Sequence, residues 1–304
     1  MFDYDVIIPA HNEAARIAMA IESVLAQSER PRKLVVVDDG SNDGTGLVAS
    51  RYPHVQVITH RHCMGLPEAR NSGIAECQAE WIAFLDADDY WDPRKIEEQT
   101  KVAAVSGAGL VYCGVRVRRD GAVQLVECPA TAWDDHRVMS RRLLLSNCIT
   151  GSGSAVMVRR ELLERTGGFD PAMKVAEDWD MWIRLSQVTT FAAAKALLVN
   201  LRVRAGSLGG SPERMFEGEW IVLRKNDHLF ERFWDACLLR RKAEAKLFER
   251  RGKAYFDQGQ LDLARKDLTR SLALWPIKMR SFVPLGKMVL GLGSPGFREN
   301  GLDA

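Results

Sequence analysis

No stretch of this chain approaches the ~20 consecutive apolar residues that a membrane-spanning helix needs. The first residues, "MFDYDVIIPAHNE", lack a basic region followed by a long apolar run, so no secretory signal is expected. The six cysteines, at 63, 77, 113, 128, 148 and 237, contain no C-x-x-C pair and no short metal-ligand spacing. That argues against a cysteine metal site and predicts reduced thiols in a cytoplasmic protein, soluble or peripherally attached to the inner face of the membrane. After the first apolar run stands "PAHNEA" rather than G-x-G-x-x-G, which argues against a dinucleotide-binding dehydrogenase.

What the sequence does contain is a sizeable core: 46% of 304 residues are hydrophobic, enough for one large α/β domain with an appendage, or two domains. Net charge is only +2, yet residues 224–304 carry 17 Lys+Arg against 10 Asp+Glu. By charge alone this basic tail admits an acidic partner, anionic lipid or nucleic acid; no nucleic-acid partner is expected, and a homodimer stays open.

Along the chain, "YDVIIPA" (4–10) is a short apolar run, and "EAARIAMAIESVLAQS" (13–28) follows with apolar residues at helical spacing. "RKLVVVDDGSNDGT" (32–45), "VQVITH" (55–60) with "GLPEARNSGIAEC" (65–77), and "EWIAFLDADDYW" (80–91) repeat the scheme. Strand and helix alternating this way imply a parallel sheet with helices on both faces, and ligands then sit beyond the carboxyl ends of the strands. From 100 onward the rhythm changes. "AGLVYCGVRVRRDGAVQLVE" alternates around Asp120–Gly121 as a hairpin would, "TGSGSAVMVRRELLERTGGFDP" reads as Gly/Ser loop, strand, short helix and turn, and "AEDWDMWIRLSQV" as a helix. The tail from 216 reads as helical: Gly252, Tyr255, Gly259, Ala264, Leu268 and Pro276 fall at tetratricopeptide offsets and predict a helix–turn–helix hairpin. "KMRSFVPLGKMVLGLG" (278–293) mixes basic and apolar residues, as an interfacial helix or a helix capping the hairpin would.

The chemistry lies in the aspartates. Asp43, in "SNDGT", is best explained as a turn former. Asp38 and Asp39 close an apolar run on the ligand side, where an acidic residue can accept from a ribose or a base N–H. Asp86 and Asp88 flank Ala87 at the end of another such strand, and charges so close are poorly tolerated unless one takes up a proton or a cation intervenes. Mg²⁺ or Mn²⁺ typically uses one or two carboxylates plus substrate phosphates, so ribose-binding and metal-binding carboxylates together describe a nucleotide-diphosphate site. Asp89 is expected to cap the helix of "DPRKIEEQ".

"VIIPAHNEAARIAMAIESVLAQS", "VVVDDGSNDGT", "GLPEARNSGI", "FLDADDYW" and "GGFDPAMKVAEDWDMWIRL" resemble, in order, the motifs of family 2 glycosyltransferases. The resemblance implies a GT-A fold, a Rossmann-like nucleotide-binding sheet fused to a smaller acceptor-binding mixed sheet, over 1–215 (nucleotide-sugar half 1–100, acceptor half 101–215), with an α-helical region over 216–304. It implies an inverting, metal-dependent, non-processive transfer of one sugar from a nucleoside diphosphate donor, with a UDP-sugar favoured, to a glycan, glycolipid or protein acceptor in cell-surface polysaccharide biosynthesis. Residue by residue, Pro9, Ala10, His11 and Glu13 would lie along the nucleoside, Asp39 would hold the base edge and Asp38 would support the loop. Arg70 would face the donor phosphates or orient Asp86; Asp86 would serve ribose and metal, Asp88 the metal (Mn²⁺ or Mg²⁺), and Asp178 would be the catalytic base. Glu177, Trp179 and Trp182 would shape the acceptor site, with core packing as the alternative account of the two tryptophans. Where many relatives read "R-x-H-p-g-s", this chain reads "RVRAGS", and Arg202 and Arg204 would pair with the diphosphate instead. The competing readings are a catalytically silent nucleotide- or glycan-binding relative and a sugar nucleotidyltransferase; the latter calls for a Gly-rich basic first loop, which "PAHNEA" is not.

Overall fold

The computed structural model describes residues 2–119, 125–131, 135–203 and 211–276. They belong to two compact units, Met1–Leu143 with Asn147–Ala205, and Leu144–Ser146 with Gly206–Ala304.

In the first unit the chain runs β1 (Tyr4–Ala10), α1 (Ile17–Leu25), β2 (Lys33–Asp38), α2 (Thr45–Ala49), β3 (Val55–Thr59), α3 (Leu66–Glu76), β4 (Trp81–Phe84), β5 (Tyr90–Trp91) and α4 (Lys95–Ser106). It continues through β6 (Leu110–Arg119), β7 (Val126–Cys128), α5 (His136–Leu145), a 3₁₀ turn at Ser152–Ala155, β8 (Val156–Arg159), α6 (Arg160–Arg165), α7 (Glu177–Leu185) and β9 (Phe191–Val203). All seven residues of β1 are buried, as a parallel strand covered on both faces requires; its one charged residue, Asp5, accepts from Gln78 N and Ala79 N.

The described strands form one sheet in the order β3-β2-β1-β4-β8-β6-β9-β5, with β7 on β6. β3, β2, β1 and β4 are mutually parallel, and Ala10 pairs with Asp38 and Ile7 with Phe84. That register brings the carboxyl ends carrying the aspartates side by side. α3 lies close against β1 because Gly73 has no side chain: a Cβ there would stand 2.4 Å from Ile7 Cγ2, far inside van der Waals contact. Beyond β4 the sheet turns mixed: β8 is antiparallel to β4 and β6, and β9 is parallel to β6.

The sequence reading did not foresee β9. "FAAAKALLVNLRV" is rich in alanine and lacks regular alternation, and its pairing with β6 is interrupted by register shifts around Gly114, so no period of two is visible. β6 and β7 pair antiparallel on either side of Asp120–Gly121, which themselves lie outside the described residues.

The second unit contains α8 (Pro212–Lys225), a 3₁₀ turn at Asp227–Arg232, α9 (Ala236–Asp257) and α10 (Leu261–Leu274). α9 and α10 form the expected hairpin, reversing at Gly259, whose φ of +75° suits glycine. Gly252 admits Leu268, since a Cβ would meet its Cγ at 2.9 Å, and Arg251 makes a two-bonded ion pair with Asp267 across the helices. None of the described helices is long and apolar enough to cross a membrane. The stretch 278–293 lies outside the described residues.

Candidate active site

The loop after β1 and the loop after β2 build one wall. Asn12 takes a left-handed conformation (φ +56°), which asparagine tolerates better than most residues. Its backbone N–H donates to Ser41 Oγ at 2.9 Å and its side-chain oxygen accepts from Asn42 N at 3.0 Å. Asp43 is the turn former expected, accepting from Thr45 N and Ala14 N. Glu13 N donates to Thr45 Oγ1 at 2.8 Å and the Glu13 carboxylate pairs with Arg16. Pro9 and Ala10 are buried at the end of β1, and the exposed His11 ring donates through Nδ1 to the Asp39 carbonyl at 2.8 Å.

Asp38 and Asp39 divide their work as follows. Asp38 Oδ1 accepts from Ser41 N, and Oδ2 lies over Gly46, where a Cβ would approach it to 2.5 Å; Asp38 supports the loop. The Asp39 carboxylate accepts from His60 Nδ1 (2.7 Å) and Met64 N (2.8 Å) on one oxygen, and from Gly65 N (2.8 Å) and Cys63 Sγ (3.3 Å) on the other. Burial alone would push this carboxyl up, but the bonds from Met64, His60, Gly65 and Cys63 hold it below the usual range. With four donors on its four lone-pair positions, Asp39 shapes the 60–65 loop. A base N–H could reach it only by displacing the longest of these bonds, that from Cys63.

Arg70, from α3, is the centre of the opposite wall. Its guanidinium is fully buried, donates to Asp86 Oδ1 at 2.9 Å and to Glu177 Oε1 at 2.8 Å, and reaches Ser152 Oγ at 3.3 Å. It also packs 5.1 Å from the Phe169 ring centre. Burial would lower its pKa, yet Asp86, Glu177 and Asp178 together hold it above the ordinary value. Of its two expected roles the structure supports one: Arg70 orients Asp86 and, with no exposed surface, does not face donor phosphates.

Asp178 stands in the first turn of α7, partly exposed. Its Oδ2 accepts from Asn147 Nδ2 at 3.1 Å and its Oδ1 from Trp179 N at 2.7 Å. Burial raises its carboxyl above the usual range despite Arg70 and its hydrogen bonds, a direction suited to a base. Glu177 is likewise pushed up by burial, against the pull of Arg70. With 6% of its surface exposed it is the counter-ion of Arg70, which corrects its expected place in an acceptor site. Trp179 and Trp182 need the same correction. They are 1% and 0% exposed, Trp179 Nε1 donates to Leu143 O at 2.7 Å, and Trp182 packs edge-on against Phe169; they anchor α7 in the core.

The three carboxylates after β4 are separated by burial. Asp86 and Asp88 are partly exposed, whereas Asp89 is buried. Asp89 accepts from Ser154 Oγ at 2.7 Å and from Arg202 N at 3.1 Å. Burial, Asp86 and Asp88 together push its carboxyl well above the usual range, against the pull of the bonds from Ser154 and Arg202 N. It does not cap α4: the residue whose side chain accepts from Arg94 N is Asp92. Among the described residues no three His, Cys, Asp or Glu side chains are grouped to hold an ion alone. Two carboxylates at a strand end still fit a hard cation completed by phosphate oxygens. The Arg202 side chain is exposed; Arg204 lies outside the described residues.

Sequence reasoning overlooked Asn71, Asn147, Ser152 and Ser154. Asn71 had the clearest signal, standing next to Arg70, and it clasps both backbone groups of Phe169 at 2.7 and 2.8 Å. The others carried none, because each acts through a partner at least 31 residues away.

A model of the family described as Glycosyl transferase family 2 matches residues 5–167. The first five curated relatives are 24–28% identical, and the chain spans 63–88% of their lengths. One of them is the Escherichia coli UDP-Glc:alpha-D-GlcNAc-diphosphoundecaprenol beta-1,3-glucosyltransferase WfgD, 24% identical over 73% of this chain and 87% of that one. The solved structure of Staphylococcus aureus TarS 1–349 with UDP-GlcNAc has a TM-score of 0.61 at 16% identity, covering 95% of this chain and 92% of that one. A Pyrobaculum calidifontis mannosyltransferase with GDP-Man and Mn²⁺ gives 0.55 at 21% identity, covering 96% and 81%. At such identities the two structures show a shared fold.

Proposed function

Because this chain belongs to glycosyl transferase family 2, whose model covers more than half of it, we propose that it is an inverting, non-processive enzyme that moves one sugar from a nucleoside diphosphate donor. The observation that carries this reading is Arg70, buried between Asp86 at the end of β4 and Glu177 beside Asp178. One fixed guanidinium thereby ties Asp86 to the start of α7, where Asp178 stands. Inversion needs in-line attack by an acceptor hydroxyl, so the base works on the sugar face opposite the diphosphate. Asp178, its carboxyl raised above the ordinary range, takes the hydroxyl proton at the carboxylate, while Asn147 and the Trp179 N–H hold its orientation.

Asp88 and Asp86 would hold a divalent cation, Mn²⁺ or Mg²⁺. When bound it supplies positive charge to the departing diphosphate. The loops after β1 and β2, with His11, Glu13, Asp38 and Asp39, line the nucleoside position, and Arg202 stands at the phosphate end. A UDP-sugar is the favoured donor. The lipid-linked diphosphate acceptor in the name of the E. coli relative supports a glycolipid acceptor in surface-polysaccharide synthesis. It also supports contact of the basic tail with an anionic bilayer.

A thermal-shift screen of nucleotides and sugar nucleotides with Mn²⁺ identifies the donor. By calorimetry, Mn²⁺ should tighten binding of the selected nucleoside diphosphate to the wild type by about tenfold or more, and Asp88→Ala should abolish most of that gain. An Asp88→Ala protein with a full Mn²⁺ response would move the metal site elsewhere. In flotation assays the full chain should rise with anionic vesicles and stay behind with zwitterionic ones; equal behaviour with both would end the membrane reading.

A further inference from the structure

The two helices of the hairpin in the second unit are of unequal length. α10 ends at Leu274, and Trp275 stands opposite Lys242, whose Nζ lies 5.3 Å from its ring centre; farther along, Ser271 Oγ donates to Ala245 O at 2.7 Å. The first turns of α9, from Ala236 to Arg241, therefore run past the end of α10. One side of these turns is packed. Leu239 is buried, and the Arg240 guanidinium lies 5.6 Å from the Phe230 ring centre and pairs with Asp227 at 2.8 Å, both on the 3₁₀ turn at Asp227–Arg232.

The side turned away from that 3₁₀ turn is open to water. At about 3.6 residues per turn Cys237, Leu238 and Arg241 share it, and all three are exposed. Leu238 exposes 49% of its surface, and Trp234, four residues before it, exposes 94%. The other described tryptophans are buried or partly buried. A large aromatic ring held in water beside an exposed leucine marks a contact surface rather than a core. Arginines flank it: Arg232 and Arg241 are both exposed, and residues 231–242 carry four basic residues against two acidic ones.

We propose that this start of α9 is the seat on an anionic bilayer, with Trp234 and Leu238 entering the headgroup boundary and Arg232 and Arg241 meeting the lipid charge. Tryptophan favours that boundary because its ring is apolar while its indole N–H can still find a hydrogen-bond partner there. Each arginine close to an anionic surface adds attraction. Charge argues against the chain's own continuation as the cover: residues 278–293 carry three basic residues and no acidic one, so like charges would meet, whereas an anionic surface attracts both. A second copy seated on the same face would likewise set these basic residues against themselves. The inference rests on the bilayer contact proposed above for the basic tail, and adds where in the fold that contact is made.

The test uses the full chain and phosphatidylcholine vesicles with or without phosphatidylglycerol. Trp234→Ser should lower partitioning onto the anionic vesicles by about tenfold, and Arg241→Gln by about fivefold at low salt. Val105→Ser, at an exposed position of α4, should leave it unchanged. Lipids brominated on their acyl chains should quench a tryptophan signal that Trp234→Phe lacks. If the wild type floats with anionic vesicles and Trp234→Ser and Leu238→Ser float equally well, the seat is overturned and the bilayer contact lies on another surface. A wild type that stays behind overturns both. A dimeric wild type that Trp234→Ser makes monomeric in analytical ultracentrifugation would give the face to a second copy. Trp234 fluorescence shielded from acrylamide in the vesicle-free protein would give it to the chain's own residues; either result overturns the inference.

Discussion

Replacing Asp178 by asparagine should lower kcat by about 10³-fold, within the range that a positioned general base contributes, while donor affinity with Mn²⁺ stays close to wild type. Asparagine keeps the size of the side chain and an oxygen for the Trp179 N–H, while its amide nitrogen replaces the oxygen that accepts from Asn147, so what is lost is the ability to accept a proton together with that one hydrogen bond. The pH dependence follows with a definite sign. A base works deprotonated, so kcat falls as pH drops through its pKa; since burial raises the Asp178 carboxyl, that acid limb lies above the ordinary aspartate range. The variant's residual rate should lack this limb. Steady-state kinetics across pH, combined with calorimetry of the nucleoside diphosphate, measures both. Undiminished transfer by an Asp178→Asn protein that still binds donor would show that another group removes the proton.

Arg70→Met should be the most destabilising single change at the site. The guanidinium is fully buried and neutralises Asp86 and Glu177; removing one partner of a buried ion pair strands the others, at about 3–5 kcal/mol. Urea denaturation should show that loss. Arg70→Met/Glu177→Gln should recover part of it, because one stranded charge is removed. Arg70→Lys keeps the charge, but an ammonium lacks the planar fork that serves Asp86, Glu177 and Ser152 together, so transfer should remain well below wild type. An Arg70→Met protein within about 1 kcal/mol of wild type would mean that the carboxylates take up protons at little cost, and that the clamp contributes little.

The parts of the site that were legible in the sequence share one property: each is announced within a few residues. The end of "VVVDD" and the D-x-D of "FLDADD" sit where an apolar run stops, and the register of β1, β2 and β4 brings those ends together. Asp178 follows a turn and opens a helix, as "AEDWD" suggests. The misreadings were of a different kind. The tryptophans of α7 look alike whether they line a cleft or fill a core, and only the packing of Phe169 and Leu143 around them decides. Asp89 looked like a cap because "DPRKIEEQ" follows it; that Ser154 and Arg202 N, 65 and 113 residues away, take its two oxygens has no local trace.

The sequence by itself determined the alternation of strand and helix in the first half, the helical hairpin near the end, and the acidic character of the strand ends, because backbone periodicity and turn chemistry are local properties. Only the tertiary structure decided which carboxylates stay partly exposed, which one is buried, and which is clamped by Arg70. A carboxyl's charge state depends on the solvent it loses and on the charges and donors that close around it, and those come from segments that meet only when the sheet is assembled.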